Sequence, residues 1–142
     1  MWWNLFIGCL VMVAVVLTWF LACYCLTPHI EEPDGKGRIT GTCGDTMEIC
    51  LSFKDNKVMD AACWTSGCVY SLNCVTAAGE LAKGKTPDEI IRIDAHLIQE
   101  SIGGLPKDHM HCATLAADTI HEAAGNYIKK ALVKRKYKSK HH

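Results

Sequence analysis

From Leu5 to Leu26 the chain carries no charged side chain, and this run constrains everything that follows it. Its 22 residues, at about 1.5 Å rise each, reach about 33 Å as a helix, enough to cross the hydrocarbon core of a bilayer. Trp2, Trp3, Trp19 and Tyr24 sit toward its two ends, where aromatic side chains favour the membrane–water interface. A cleaved signal peptide is the competing reading, and Phe20-Leu21-Ala22-Cys23 is a weak lipobox-like stretch. Against it, no Lys or Arg precedes the run, and the run is longer than a typical signal core. The expectation is therefore a transmembrane anchor over residues 1–26, single pass. Lys36, Arg38 and a basic tail follow it while no cation precedes it, so the positive-inside rule puts the remaining chain in the cytoplasm; Glu31, Glu32 and Asp34 weaken that bias.

Of 142 residues, about 110 are left for one small domain. Fifteen Lys and Arg balance fifteen Asp and Glu, which argues against a nucleic-acid partner and against strongly acidic substrates. Residues 27–41, with Pro28, Pro33, Gly35, Gly37 and Gly41 among charges, read as a linker. Met47, Ile49, Leu51 and Phe53 alternate with polar residues and Cys50, the period of a half-buried strand. Asp55-Asn56-Lys57 then turns the chain into a second strand around Val58–Thr65. Helical spacing follows from about Val69 to Lys83. Thr86-Pro87-Asp88-Glu89 starts a short helix with an N-cap, Pro at the first position and Glu at the third. From about His109 to Val133 an apolar stripe through Leu115, Ile120, Ala124 and Ile128 marks a long last helix. The expectation is an α+β domain over residues 42–133, a small antiparallel sheet covered by helices, with a basic tail at 134–142. That tail is usually a solvated end; beside a membrane anchor it could also touch anionic lipid.

Nine cysteines are many for this length, and in a secreted chain they would suggest disulfides. Cys9, Cys23 and Cys25 belong to the apolar run, which leaves Cys43, Cys50, Cys63, Cys68, Cys74 and Cys112 for the domain. The domain has enough Ile, Leu, Val and Ala to build a core without staples, so thiols used for chemistry in a reducing compartment fit better. No pair of them has the C-x-x-C spacing of a zinc ribbon or a dithiol redox motif. Cys50, Cys63 and Cys74 read as packing residues, Cys74 being the one that could lie near Cys68. His96 and His121 read as surface or satisfied residues.

The other three occupy junctions. Cys43 lies in Gly41-Thr42-Cys43-Gly44-Asp45 before the first strand, Cys68 follows Gly67 between strand and helix, and Cys112 follows His111 in the first turn of the last helix. Helix N-termini favour thiolate, the form that binds metal. Three thiolates fall one ligand short of a stable cluster; Asp45 or His111 as the fourth would hold it less firmly.

These motifs resemble the NifU/IscU family of U-type scaffolds. Gly41-Thr42-Cys43-Gly44-Asp45 is similar to its C-G-D loop, Trp64-Thr65-Ser66-Gly67-Cys68 to its second cysteine site, Gly84-Lys85-Thr86 to its G-K-S/T junction, and His111-Cys112-Ala113-Thr114-Leu115-Ala116 to its H-C-x-x-L-A site. The resemblance spans residues 41–129 and implies a three-stranded sheet covered by helices. It also implies a non-enzymatic scaffold for iron–sulfur cluster assembly. Cys43, Cys68 and Cys112 would take sulfur from a cysteine desulfurase and bind iron, and Asp45 would keep the site labile, with His111 the weaker ligand. The cargo would be a transient two-iron two-sulfur cluster, passed to apo iron–sulfur proteins, with zinc as an occupant of the apo-like state. Two segments depart from the family: Val69-Tyr70 stands where Gly-Ser is common and would crowd the site, and Leu105-Pro106-Lys107-Asp108 differs from the Leu-Pro-Pro-Val-Lys segment that an Hsp70-type chaperone recognises, which leaves that partner doubtful. A degenerate or zinc-holding module that recruits assembly partners to the membrane, and a thiol redox protein using Cys68 and Cys74, are the alternatives.

Overall fold

The computed structural model describes residues 1–26 and 32–140. Helix α1, Trp2–Leu26, is apolar and exposed along its whole length. Its mean hydropathy of 2.7 and its 25 residues make it long and apolar enough to cross a membrane.

The domain is built on a three-stranded antiparallel meander of β1 (Gly35–Thr40), β2 (Thr46–Lys54) and β3 (Lys57–Thr65), in the order β1-β2-β3. The β2–β3 connection is a two-residue loop. Asp55 and Asn56 have φ of 52° and 62°, the left-handed conformation that a tight hairpin requires and that Asp and Asn tolerate. Met47, Ile49 and Leu51 of β2 are fully buried on one face, against helices α2 (Val69–Ala82) and α5 (Met110–Lys140). Between these lie α3 (Pro87–Ile90), α4 (Ala95–Ser101) and a 3₁₀ turn at Lys107–His109. As the sequence predicts, α3 starts on a capping arrangement, with the Thr86 amide donating to Glu89 Oε2 at 2.8 Å. Asp94 caps α4 by accepting from the Leu97 amide at 2.8 Å.

Strand β1 corrects the reading of a linker over residues 27–41 at Gly35–Thr40, while residues 27–31 of that stretch lie outside the described residues. Its glycines are a packing requirement. A Cβ on Gly35 would collide with the Ala123 carbonyl oxygen, and one on Gly37 with the Thr119 carbonyl oxygen, so α5 lies directly on the strand's backbone. The outer edge of β1 is occupied by α5 side chains: the Arg38 amide donates to Glu122 Oε2 at 2.9 Å, and Asn126 Nδ2 donates to the Lys36 carbonyl at 2.7 Å. Those contacts satisfy backbone groups that an edge strand leaves open. Phe53 and Tyr127 close the far end with rings stacked at 3.7 Å. A second difference is length, since α5 continues to Lys140, so residues 134–140 of the expected tail are helical.

Candidate functional site

Thr40 pairs with Thr46, and Thr65 with Met47, so the β1–β2 turn and the end of β3 lie side by side at one end of the sheet. The first brings Cys43 and Asp45 there; the second brings Cys68. The Ser66–Cys68 corner is fixed by hydrogen bonds back to the sheet: the Gly67 amide donates to Thr65 Oγ1 (3.1 Å), Thr65 Oγ1 donates to the Thr46 carbonyl (2.9 Å), and the Thr46 amide donates to Ser66 Oγ (3.1 Å). Gly67 must be glycine, because a Cβ there would run into the Asp45 carboxylate. Cys68 is the N-cap residue of α2, with extended φ and ψ of −77° and 179°. Cys112 arrives from the first turn of α5.

A residue that the sequence reading passed over ties these groups together. Ser71, fully buried in the first turn of α2, donates from Oγ to Asp45 Oδ2 at 2.7 Å. The same oxygen lies 3.4 Å from Cys112 Sγ and 3.8 Å from Cys68 Sγ. Asp45, Cys68 and Cys112 are thus gathered around one hydroxyl. Cys43 is exposed on the turn and is close enough that its charge bears on the Cys112 thiol. A Cβ at Gly41 would come within 3.4 Å of Cys43 Sγ and 3.0 Å of Leu115 Cδ2, so the glycine lets the Cys43 turn sit close against α5.

The imidazole at the site belongs to His109. His111 is exposed, with its ring centroid 6.2 Å from that of His109. The ligand atoms of Cys68, His109 and Cys112 all lie within 4.8 Å of one another, a separation that one metal ion could bridge. The signal was available in the spacing: His109 stands three residues before Cys112 and Ser71 three after Cys68, and residues three apart share a helical face. Adjacent His111 is turned about 100° away on the helix. Tyr70 stacks on His109, centroids 4.3 Å apart, while Val69 points to solvent. Of the Val69-Tyr70 pair, Tyr70 therefore buttresses the imidazole.

The two thiols at helix starts differ in acidity. The Cys68 thiol is lowered below its ordinary value, first by the Ser71 backbone N–H. Cys112, expected to behave likewise, is raised, because burial outweighs the Ser71 hydrogen bond and Cys68, Asp45 and Cys43 add negative charge around it. Beneath them Cys74 is fully buried and pushed up to about 12 by that burial. Cys63 faces α2 and is raised to about 11 for the same reason, while Cys50 lies on the opposite face of the sheet beside Glu48. Cys43, Cys50, Cys63, Cys68, Cys74 and Cys112, the cysteines of the domain, are all free thiols. His121 is satisfied by the Ile93 carbonyl at 2.9 Å.

Residues 29–134 match the NifU-like N terminal domain, three-quarters of the chain and every element from β1 to the body of α5. The chain belongs to the NifU-like N-terminal domain family. Within it, the chain is similar to the iron-sulfur cluster assembly scaffold protein IscU 1 of Archaeoglobus fulgidus, 41% identical over 102 residues that cover 71% of this chain and 67% of the relative. It is also similar to the iron-sulfur cluster assembly protein IscU of Plasmodium falciparum, 35% identical over 91 residues (64% and 56%). The crystal structure of a NifU-like N-terminal protein from Brucella abortus superposes with a TM-score of 0.53 over 71% of this chain and 83% of the other, at 19% identity, and so shares the NifU-like fold.

Proposed function

We propose that this protein is a scaffold on which an iron–sulfur cluster is assembled and from which it is handed on, held at a membrane by α1 with its domain on the cytoplasmic side. The observation that carries the reading is the convergence of Cys68 and Cys112 with Asp45 on the Ser71 hydroxyl, beside the exposed Cys43. Cys43, Cys68 and Cys112 are the proposed thiolate ligands, with Asp45 as the oxygen ligand. A carboxylate is a harder donor than thiolate and binds the cluster iron less firmly, which suits cargo that must leave. Sulfur delivery would come from a cysteine desulfurase and the recipients would be apo iron–sulfur proteins; a two-iron two-sulfur cluster suits four ligands. The scaffold itself breaks no carbon–sulfur bond, so it is not read as an enzyme.

The test is anaerobic reconstitution of the full chain with ferrous iron, cysteine and a desulfurase. A visible chromophore that transfers to an apo-ferredoxin supports the reading. Cys112→Ser should abolish it and Cys50→Ser, on the opposite face of the sheet, should not. Equal effects of the two would mean that the ligand assignment is wrong.

A second reading has its own observation. Cys68, His109 and Cys112 already lie at metal-bridging separation, and two thiolates with an imidazole suit zinc. Zinc that resists displacement during reconstitution, with no chromophore, would favour a zinc-holding recruitment module. A redox pair of Cys68 with Cys74 is disfavoured, because a thiol as buried as Cys74 rarely reaches the reactive thiolate form.

A further inference from the structure

The last three turns of α5 serve neither the core nor the site. Burial on α5 ends at Ala124, yet the helix continues to Lys140. Lys129, Lys130, Lys134, Arg135, Lys136, Lys138 and Lys140 are all exposed there, and no acidic residue follows Glu122 in the helix. Leu132 and Val133 are exposed among them, 52% and 67%.

We propose that residues 129–140 form a docking surface for the anionic headgroups of the membrane that α1 enters; the proposal rests on the membrane reading of α1 given above. Two observations choose the occupant. The first is position. Lys130 Nζ donates to the Pro33 carbonyl at 3.1 Å, and Glu32, Pro33 and Asp34 line one cleft with Lys129, Val133 and Lys134. The basic helix is therefore fastened to the stretch of chain that emerges from α1. From Leu26 to Glu32 there are six Cα steps, at most about 3.6 Å each, so Glu32 lies within about 22 Å of the helix end. The second is charge. Among the described residues, Glu32 and Asp34 are the acids that share the cleft with Lys129, Lys130 and Lys134; Asp34 also accepts from the Phe53 amide at 2.8 Å, and Glu48 is paired with Lys36 and Arg38, so the seven cations of the helix end outnumber the acids beside them. Each Lys or Arg near an anionic leaflet strengthens association about fivefold, and exposed apolar side chains among them suit the headgroup boundary.

The experiment uses the full chain in lipid discs, of phosphatidylcholine alone or with phosphatidylserine replacing part of it, and follows hydrogen exchange of the backbone. Exchange across 129–140 should be about tenfold slower in the anionic discs, with the difference lost at high salt. It should also be lost in the variant Lys134→Gln, Arg135→Gln, Lys136→Gln, Lys138→Gln and Lys140→Gln. Exchange equal in the two discs, or protection that survives the five substitutions, overturns the proposal. Slowing only on addition of an oligonucleotide would overturn it in favour of nucleic acid. Protection of residues 5–26 in both discs separates the two readings. If those amides exchange freely, the membrane reading itself fails. If they are protected while 129–140 ignore lipid charge, only the docking surface fails.

Discussion

Ser71 and Asp45 are joined by a 2.7 Å hydrogen bond in which the buried hydroxyl donates to the carboxylate, and the same oxygen sits 3.4 Å from the Cys112 sulfur. A hydroxyl has one proton. While that proton is donated to Asp45, the protonated Cys112 can only donate to Ser71, and a Cys112 thiolate must compete with Asp45 for it. Ser71 thus aims the Asp45 carboxylate and couples it to the Cys112 sulfur.

If Asp45 makes the cluster labile, Asp45→Ala should slow transfer to an apo-protein. Ser71→Ala, which leaves the carboxylate unaimed, should slow it in the same direction by about tenfold, the size of effect that an outer-sphere partner usually has. The double variant should be no slower than Asp45→Ala alone. Transfer kinetics that are unchanged in Asp45→Ala would remove the oxygen-ligand hypothesis, and additive effects would mean that Ser71 acts independently of Asp45.

His109→Ala should weaken zinc binding by about 10- to 100-fold, measured by competition with a chromophoric chelator, because it removes the imidazole beside Cys68 and Cys112. His111→Ala should leave it unchanged, since that ring is exposed and it is His109 whose ligand atom groups with the two sulfurs. Phenylalanine in place of Tyr70 keeps the ring that stacks on His109 and should keep zinc affinity, while Tyr70→Ala should lower it. The reverse ranking of the two histidines would return the assignment to the residue adjacent to Cys112.

Thiol acidity can be read by alkylation of the metal-free protein followed by peptide mapping. The Cys68 thiol is held below its ordinary value by backbone N–H groups, so more of it is thiolate at a given pH and its rate should reach half-maximum at a lower pH than that of a free cysteine. Cys74, raised to about 12 by burial, should stay unmodified until the domain unfolds. A Cys68 midpoint above that of a free thiol would contradict the N-cap geometry.

Gly37→Ala places a methyl group against the Thr119 carbonyl and should destabilise the domain by about 1–3 kcal/mol, read as a lower Tm. Gly125→Ala is the opposite case, since nothing lies within 4 Å of its Cβ position inside α5. It should stabilise by about 0.5–1 kcal/mol through reduced chain entropy in the unfolded state. Equal effects at the two positions would mean that β1 does not lie flat on α5.

What could be read in the sequence follows from how each element is stabilised. Strand β2 buries alternate residues and α5 buries a stripe, so their periods show in the residue order. Strand β1 has no such signature: its inward positions, Gly35 and Gly37, are glycine because the helix backbone comes too close for a side chain, and glycines among charges look like a linker. The thiols could be found because their motifs are local. Ser71 and His109 lie in no cysteine motif, since each reaches the thiols from one helical turn away rather than from the next position in the chain. The end of α5 has no signature in the sequence, because its apolar stripe stops where burial stops, at Ala124, while the helix continues on half-buried and exposed residues to Lys140.

Strand β1 also acts as a spacer. The chain enters it at Gly35, next to the Pro33–Lys130 contact, and leaves it at Thr40, one residue before the turn that carries Cys43. Its six residues, at about 3.3 Å each, put roughly 20 Å between the tethered end and the thiols. Under the proposed membrane anchoring, that length would hold the cysteines clear of the lipid, where the proposed sulfur donor and cluster acceptors would reach them from the aqueous side.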